Sequence, residues 1–361
     1  LWEVHVLTGI RGVTDLPDRA TVVALRAHHS VTDGLGLVQM ARALFGDADI
    51  TPSTGRPPSL DLGVVGAIVK LPVALAELAV ASVGSARARR SLDALVREGK
   101  ITEPELHRPR TRFNIESTGP RQFGRVRFAL SDVRAVARTT DTTVNQVVMA
   151  LVSAAMATYL ANRDETPVVS LAAQVPVSIA DRSDLVSENR TTVAFVDLHT
   201  DTTDPLDRLR LIRESAEREK ARLDRPETEY LASAVLDRCP APVLRKVIRR
   251  DVGASIEAHG GGTVPSHTIV SNCARGSAVP LRFGDSPAVD GFSAPVLNRT
   301  SGLLHMTTSL GEVLNVTFSS KQVSMPDPVE YEQLLIRAFD ELRSAAELAR
   351  EGDTDADPSM V

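Results

Sequence analysis

From Arg125 onward strand-like and helix-like stretches alternate, and this constrains the fold more than any other property of the chain. Val126 to Leu130 reads as a strand, with Ser131 as the N-cap of a helix over Asp132 to Arg138. Thr143 to Leu160 is an apolar helix, Val168 to Val175 a buried strand closed by Pro176, and Val193 to Leu198 another strand. Pro205 to Leu223 puts Leu206, Leu209, Ile212 and Ala216 on one face, the spacing of an amphipathic helix. Strands at 268–271, 303–310 and 313–319 and a helix from Pro328 to Arg350 complete the series. The pattern predicts an α/β (α+β) architecture. The acidic residues 351–361 are expected to be a disordered tail.

Ahead of this region lies a second informative element. The β-branched run Val22-Val23-Ala24-Leu25 reads as a strand, followed by His28-His29-Ser30-Val31-Thr32-Asp33-Gly34 and a helix from Leu35 to Phe45. An imidazole at a strand end is placed to present a base to a cleft. Successive strand residues face opposite sides, so only one of the two histidines would face it. His29 would share its face with Val23, Leu25 and Ala27. One working base, His29, and one supporting residue, His28, is one reading. A pair of turn histidines with Asp33 capping the helix is the other. Because the two rings diverge, one metal ion could hardly take both, and no metal site is expected.

The apolar stretch Leu62 to Gly84 approaches the roughly 20 residues that span a bilayer, but Lys70, Pro72 and Glu77 interrupt it. A helix buried against protein or lying on a membrane surface is the better expectation. Residues 51–60, rich in Pro, Ser and Gly, form a loop, and the Arg-rich residues 85–112 read as an exposed interdomain connection. With 361 residues, two domains are expected: 1–84 and 113–350, joined by 85–112.

Three polar segments interrupt the regular pattern. Asn145 and Gln146, at the start of an apolar helix, could either hold a substrate carbonyl or oxyanion or satisfy backbone groups at the helix start. Ser271-Asn272 ends a short strand and could line a channel. Gly260-Gly261-Gly262 lacks the strand–GxGxxG–helix context of a dinucleotide loop and reads as a flexible loop. No GxSxG elbow, Walker loop or HExxH occurs, so hydrolase, NTPase and zincin readings lose their usual support. The net charge of -5 argues against a nucleic-acid partner. Two cysteines without metal or disulfide spacing fit a reducing cytoplasm.

Taken together, the motifs resemble the bacterial wax ester synthase/diacylglycerol acyltransferase family. Its HHxxxDG signature is matched by His28, His29, Asp33 and Gly34, and Leu1-Trp2-Glu3 looks like the end of its PLWE motif. Thr143-Val144-Asn145-Gln146 is similar to its TVND segment, with Gln146 where the family has aspartate. Asn189-Arg190, Val196-Asp197-Leu198, the stretch Asp204 to Leu209, Ser271-Asn272 and Pro280-Leu281 resemble further family segments. The resemblance implies a chloramphenicol-acetyltransferase-like two-domain fold. Family members carry about half a domain, on the order of 100 residues, before PLWE, so the N-terminal domain is expected to be truncated here.

It further implies that His29 takes the proton of a diacylglycerol or long-chain alcohol hydroxyl, whose oxygen attacks the thioester carbonyl of acyl-CoA directly. Acyl-CoA is then a co-substrate and no cofactor is required. Asp33 would be mainly structural, with Gly34, Asn145, Gln146 and Asn272 at the substrate. A peripheral place on a membrane or lipid droplet in the cytoplasm is expected. Alternatives are a related enzyme using a carrier-protein thioester, and a catalytically silent lipid-surface protein.

Overall fold

The computed structural model describes residues 2–13, 17–29, 34–46, 60–115, 119–178, 191–240, 242–246, 262–272, 281–297 and 302–356. The chain opens with an antiparallel hairpin, β1 (Trp2–Ile10) and β2 (Ala20–Ala27), in which Val4 pairs with Leu25 and Val6 with Val23. Two helices follow, α1 (Gly34–Phe45) and the 38-residue α2 (Leu60–Arg97). After the short β3 (Arg108–Pro109) come β4 (Arg121–Ala129), α3 (Leu130–Thr139), α4 (Val144–Ala161), β5 (Ala172–Ser178), β6 (Thr191–Asp197), α5 (Pro205–Leu223) and α6 (Pro226–Arg238). The remainder comprises β7 (Thr263–Val264), β8 (Thr268–Asn272), β9 (Arg282–Phe283), β10 (Ser286–Pro287), β11 (Leu303–Leu310), β12 (Val313–Lys321) and α7 (Pro328–Ala356).

A six-stranded sheet of order β4-β12-β11-β8-β5-β6 organises the larger part of the chain. β8 runs parallel to both β11 and β5, and the other pairings are antiparallel. Alternation along β4 buries Gly124, Val126 and Phe128 beneath helices and leaves Phe123, Arg125 and Arg127 on the opposite side. Phe128 meets Phe339 of α7 with centroids 4.9 Å apart, and Phe318 of β12 meets Tyr331 edge-on at 4.9 Å. Gly124 is required here, because a Cβ would overlap the Phe318 ring. α4 is apolar on nearly every side because α3, α5 and α7 pack around it and most of its residues are buried, which is why its sequence lacks an amphipathic stripe.

Several expectations need correction. α3 starts at Leu130, not after Ser131, and Ala129 gives it no side-chain cap. The Leu130 N–H instead donates to the Glu312 carbonyl in the β11–β12 turn at 2.8 Å, so the sheet caps the helix. Val168 and Val169 are exposed, and the strand begins four residues beyond Val168, at Ala172, and runs through Pro176. Proline is tolerated there because β8 pairs only with Ala173 and Gln174, leaving position 176 with β6 alone.

Residues 85–97 are not an exposed connection but the second half of α2. Small residues let α6 approach them: Ala81 and Ala88 are buried, Gly84 lies against the Tyr230 ring, and Ser91 Oγ donates to Glu227 Oε1 at 2.8 Å. Residues 351–356 are helical within α7 rather than a tail, while 357–361 lie outside the described residues.

The apolar part of α2 is also not buried against protein. Of its described apolar window, beginning at Val69, only 6% is buried, against 67% for α4.

Candidate active site

β2 ends at Ala27, so the strand stops just short of the two histidines. Val23, Leu25 and Ala27 do share the sheltered face, yet His28 lies beyond the strand and His29 in the turn. Strand alternation therefore does not choose between the two rings. Both side chains are exposed, and Gly34 opens α1. Asp33 lies outside the described residues.

Asn145 and Gln146 separate into different roles. Thr143 Oγ1 accepts from the Gln146 N–H at 3.2 Å, and the Gln146 side-chain oxygen accepts from the Thr143 N–H at 2.8 Å. This reciprocal capping box uses the Gln146 side-chain oxygen for the helix start. Glutamine suits the box as well as a carboxylate would, which accounts for its place in a TVND-like segment. Asn145 Oδ1 is buried in the same first turn with no hydrogen-bond donor among the described residues. Asn272 is the last residue of β8, exposed and across from Thr307 of β11. His29, Asn145 and Asn272 thus lie on three different elements. Gly262, from the glycine run, is described next to β7; Gly260 and Gly261 lie outside the described residues.

A buried polar cluster behind the sheet escaped the sequence reading. Arg108 donates to Asp197 Oδ2 at 2.8 Å and to the Ser170 carbonyl, while Ser170 Oγ and the His199 N–H both donate to Asp197 Oδ1. Burial alone would raise the Asp197 carboxyl, but these donors and the Arg108 charge outweigh it and hold the group below its usual range. Beside it, His267 Nδ1 accepts from the Ala172 N–H at 3.1 Å, so Nε2 carries the proton and donates to the Pro109 carbonyl at 2.9 Å. This arrangement ties β3 to the sheet.

Its only signals in the sequence were Asp197 in the Val-Asp-Leu segment and an arginine within the assumed connection. Arg108→Ala would leave the partly buried Asp197 carboxylate without its charge partner, and a loss of about 2 kcal/mol is expected, read as a shift in urea midpoint.

The alternating strands and helices around a mixed sheet form the fold of chloramphenicol-acetyltransferase-like acyltransferases, and two solved structures show it. A wax ester synthase/diacylglycerol acyltransferase from Marinobacter aquaeolei VT8 superposes with a TM-score of 0.62 at 23% identity, covering 96% of this chain and 72% of that one. The TRI3 trichothecene 15-O-acetyltransferase from Fusarium sporotrichioides gives 0.56 at 13% identity, covering 95% and 71%.

Family models agree. The wax ester synthase/diacylglycerol acyltransferase catalytic domain matches residues 1–148, and the C-terminal domain of the same family matches 187–343. A Mycobacterium tuberculosis protein named probable diacylglycerol O-acyltransferase tgs2 is 27% identical over 332 residues, covering 88% of this chain and 67% of the relative. A second from that organism, named probable diacylglycerol O-acyltransferase Tgs4, is 25% identical over 372 residues, covering 96% and 74%. The chain belongs to the wax ester synthase/diacylglycerol acyltransferase family.

Proposed function

We propose that this chain moves a fatty acyl group from acyl-CoA to the hydroxyl of diacylglycerol or a long-chain alcohol, with His29 as general base. The observation that carries the reading is the setting of the histidines. His28 and His29 are exposed between β2 and α1, within the family's signature heptad. His267 and His305 are buried within the fold, out of reach of a substrate.

In the proposed reaction a ring nitrogen of His29 takes the hydroxyl proton as the oxygen forms a bond to the thioester carbonyl carbon. The tetrahedral oxyanion collapses, the C–S bond breaks, and the imidazolium returns the proton to the departing thiolate. Direct attack requires no covalent acyl-enzyme. Asn145, in the first turn of α4, is the candidate for positioning the substrate or the developing oxyanion, to which its Nδ2 group could donate. Asn272 and Gly34 remain candidates for lining the substrate path.

The substrates are lipids, and α2 offers a surface suited to them. Val69, Val73, Val80 and Val83 are exposed on it, followed by exposed Arg87, Arg89 and Arg90. Apolar side chains entering an interface with arginines at headgroup level fit a peripheral place on an anionic membrane or lipid droplet of the cytoplasm.

One assay addresses donor and surface together. Radiolabelled palmitoyl-CoA and palmitoyl-carrier protein are offered separately, with diacylglycerol in phosphatidylglycerol vesicles. Triacylglycerol from the CoA donor alone, by protein that floats with the vesicles, is the expected result. Turnover with the carrier thioester alone would overturn the donor assignment, and protein left in the aqueous fraction would overturn the surface.

A further inference from the structure

Between Leu62 and Ala86 the only charged residues of α2 are Lys70 and Glu77, and a helix that does nothing but face lipid has no use for the second. Both are exposed, and neither makes an ion pair among the described residues. No cation stands three or four positions from Glu77, and Lys70 is seven positions away, about 10 Å along the axis. A carboxylate without a cation is costly among apolar side chains at a bilayer.

The exposed apolar residues beside these charges follow a four-three spacing: Val69, Val73, Ala76, Val80, Val83. Such a spacing places side chains along one seam of a helix. The four valines are 53–72% exposed. Helix α6 leaves them open because it rests on the line of Ala81, Gly84, Ala88 and Ser91. Leu71 and Leu75 lie on the opposite side of the helix, and Pro72 falls outside the seam. Lys70 and Glu77 each directly follow a seam residue, so both flank the seam on the same side.

From this pattern we infer that, away from lipid, two copies of this chain pair through α2 in antiparallel orientation. Centred between Val73 and Ala76, the pairing sets Val69 against Val80 of the second copy and Lys70 beside its Glu77, each contact occurring twice by two-fold symmetry. A parallel pairing would set Glu77 beside Pro72 and give it no partner. The two opposite charges complement their own reversed order, which identifies a second copy as the occupant. Because the pair covers the valines assigned above to the lipid interface, self-pairing and lipid compete for them. That competition rests on the lipid-surface reading above; the pairing does not.

Sedimentation velocity of the full chain without lipid should show a species of twice the chain mass. A carbodiimide, which joins amine to carboxylate without a spacer, should link Lys70 of one copy to Glu77 of the other. Within one copy the two groups are too far apart to be joined. Glu77→Lys sets lysine against lysine and should weaken the pairing about tenfold. Adding Lys70→Glu to that variant should restore the wild-type mass. A single-chain mass at every concentration, unchanged pairing in Glu77→Lys, or no recovery in the double variant would overturn the inference. Protein floated on phosphatidylglycerol vesicles should lose the crosslink between Lys70 and Glu77, and a crosslink that persists there would overturn the competition. Wild-type protein that pairs in water yet never floats would overturn the lipid-surface reading and leave the pairing standing.

Discussion

His29→Ala should lower kcat for palmitoyl transfer to diacylglycerol by about 10²- to 10⁴-fold, the usual contribution of a positioned general base, with little change in KM. The side chain is exposed in the turn after β2, so its loss removes no core contact and the folded state should persist. Unchanged circular dichroism and urea midpoint would confirm that the lost rate is chemical. His28→Ala provides the comparison, because the two rings follow the end of β2 in succession and strand geometry does not separate them. A smaller effect at His28 is expected if it supports rather than performs the proton transfer. Wild-type turnover by the His29 variant would end the base assignment. A larger loss at His28 than at His29 would exchange their roles.

The difference between what could be read in the sequence and what could not follows from the range of the forces involved. β4 and α5 were legible because local periodicity matches their burial, and α4 and β12 because apolar or β-branched runs match burial at nearly every position: Val126 and Phe128 alternate into the core, and Asp204 accepts from the Leu206 and Asp207 N–H groups just as a capping aspartate should. Errors arose where a distant partner decides. Ser131 was read as a cap, but a carbonyl in the β11–β12 turn, about 180 residues away in sequence, supplies the acceptor instead. The second half of α2 carries arginines that resemble a solvated linker, yet Ala81, Gly84 and Ala88 form the narrow face on which α6 rests. No local pattern reveals that a small-residue face has a partner.

The candidate site divides in the same way. The heptad could be read because chemistry and turn signals are contiguous there. Gln146 stayed ambiguous because a capping glutamine and a substrate-binding glutamine look alike until the Thr143 hydrogen bonds are seen. Arg108 was missed since its importance lies in a carboxylate 89 residues away.

Acid should unfold this protein through two imidazoles that take no part in the proposed catalysis. His305 is completely buried between Thr268 Oγ1, 2.8 Å from Nδ1, and the Tyr331 hydroxyl, 2.9 Å from Nε2. Burial pushes its pKa down to about 3. His267 is pushed down to about 4, mainly by burial, with the neighbouring Arg108 charge acting in the same direction. Its Nδ1 accepts from the Ala172 N–H, so protonation would set two donors against each other.

In the unfolded chain both rings titrate near 6.5, so between pH 6.5 and 4 the unfolded state binds protons that the folded state refuses. The stabilisation is complete above 6.5 and drains away as pH falls toward 4. At about 1.36 kcal/mol per pH unit, each ring withdraws about 3 kcal/mol by pH 4, a large fraction of the 5–15 kcal/mol typical of a folded domain. Urea midpoints at pH 7.5, 6, 5 and 4 should therefore fall steadily. The His267→Asn variant should show a shallower slope from a lower starting stability, since asparagine can accept from Ala172 without titrating in this window. A midpoint independent of pH between 6.5 and 4 would show that neither imidazole is held neutral by the fold.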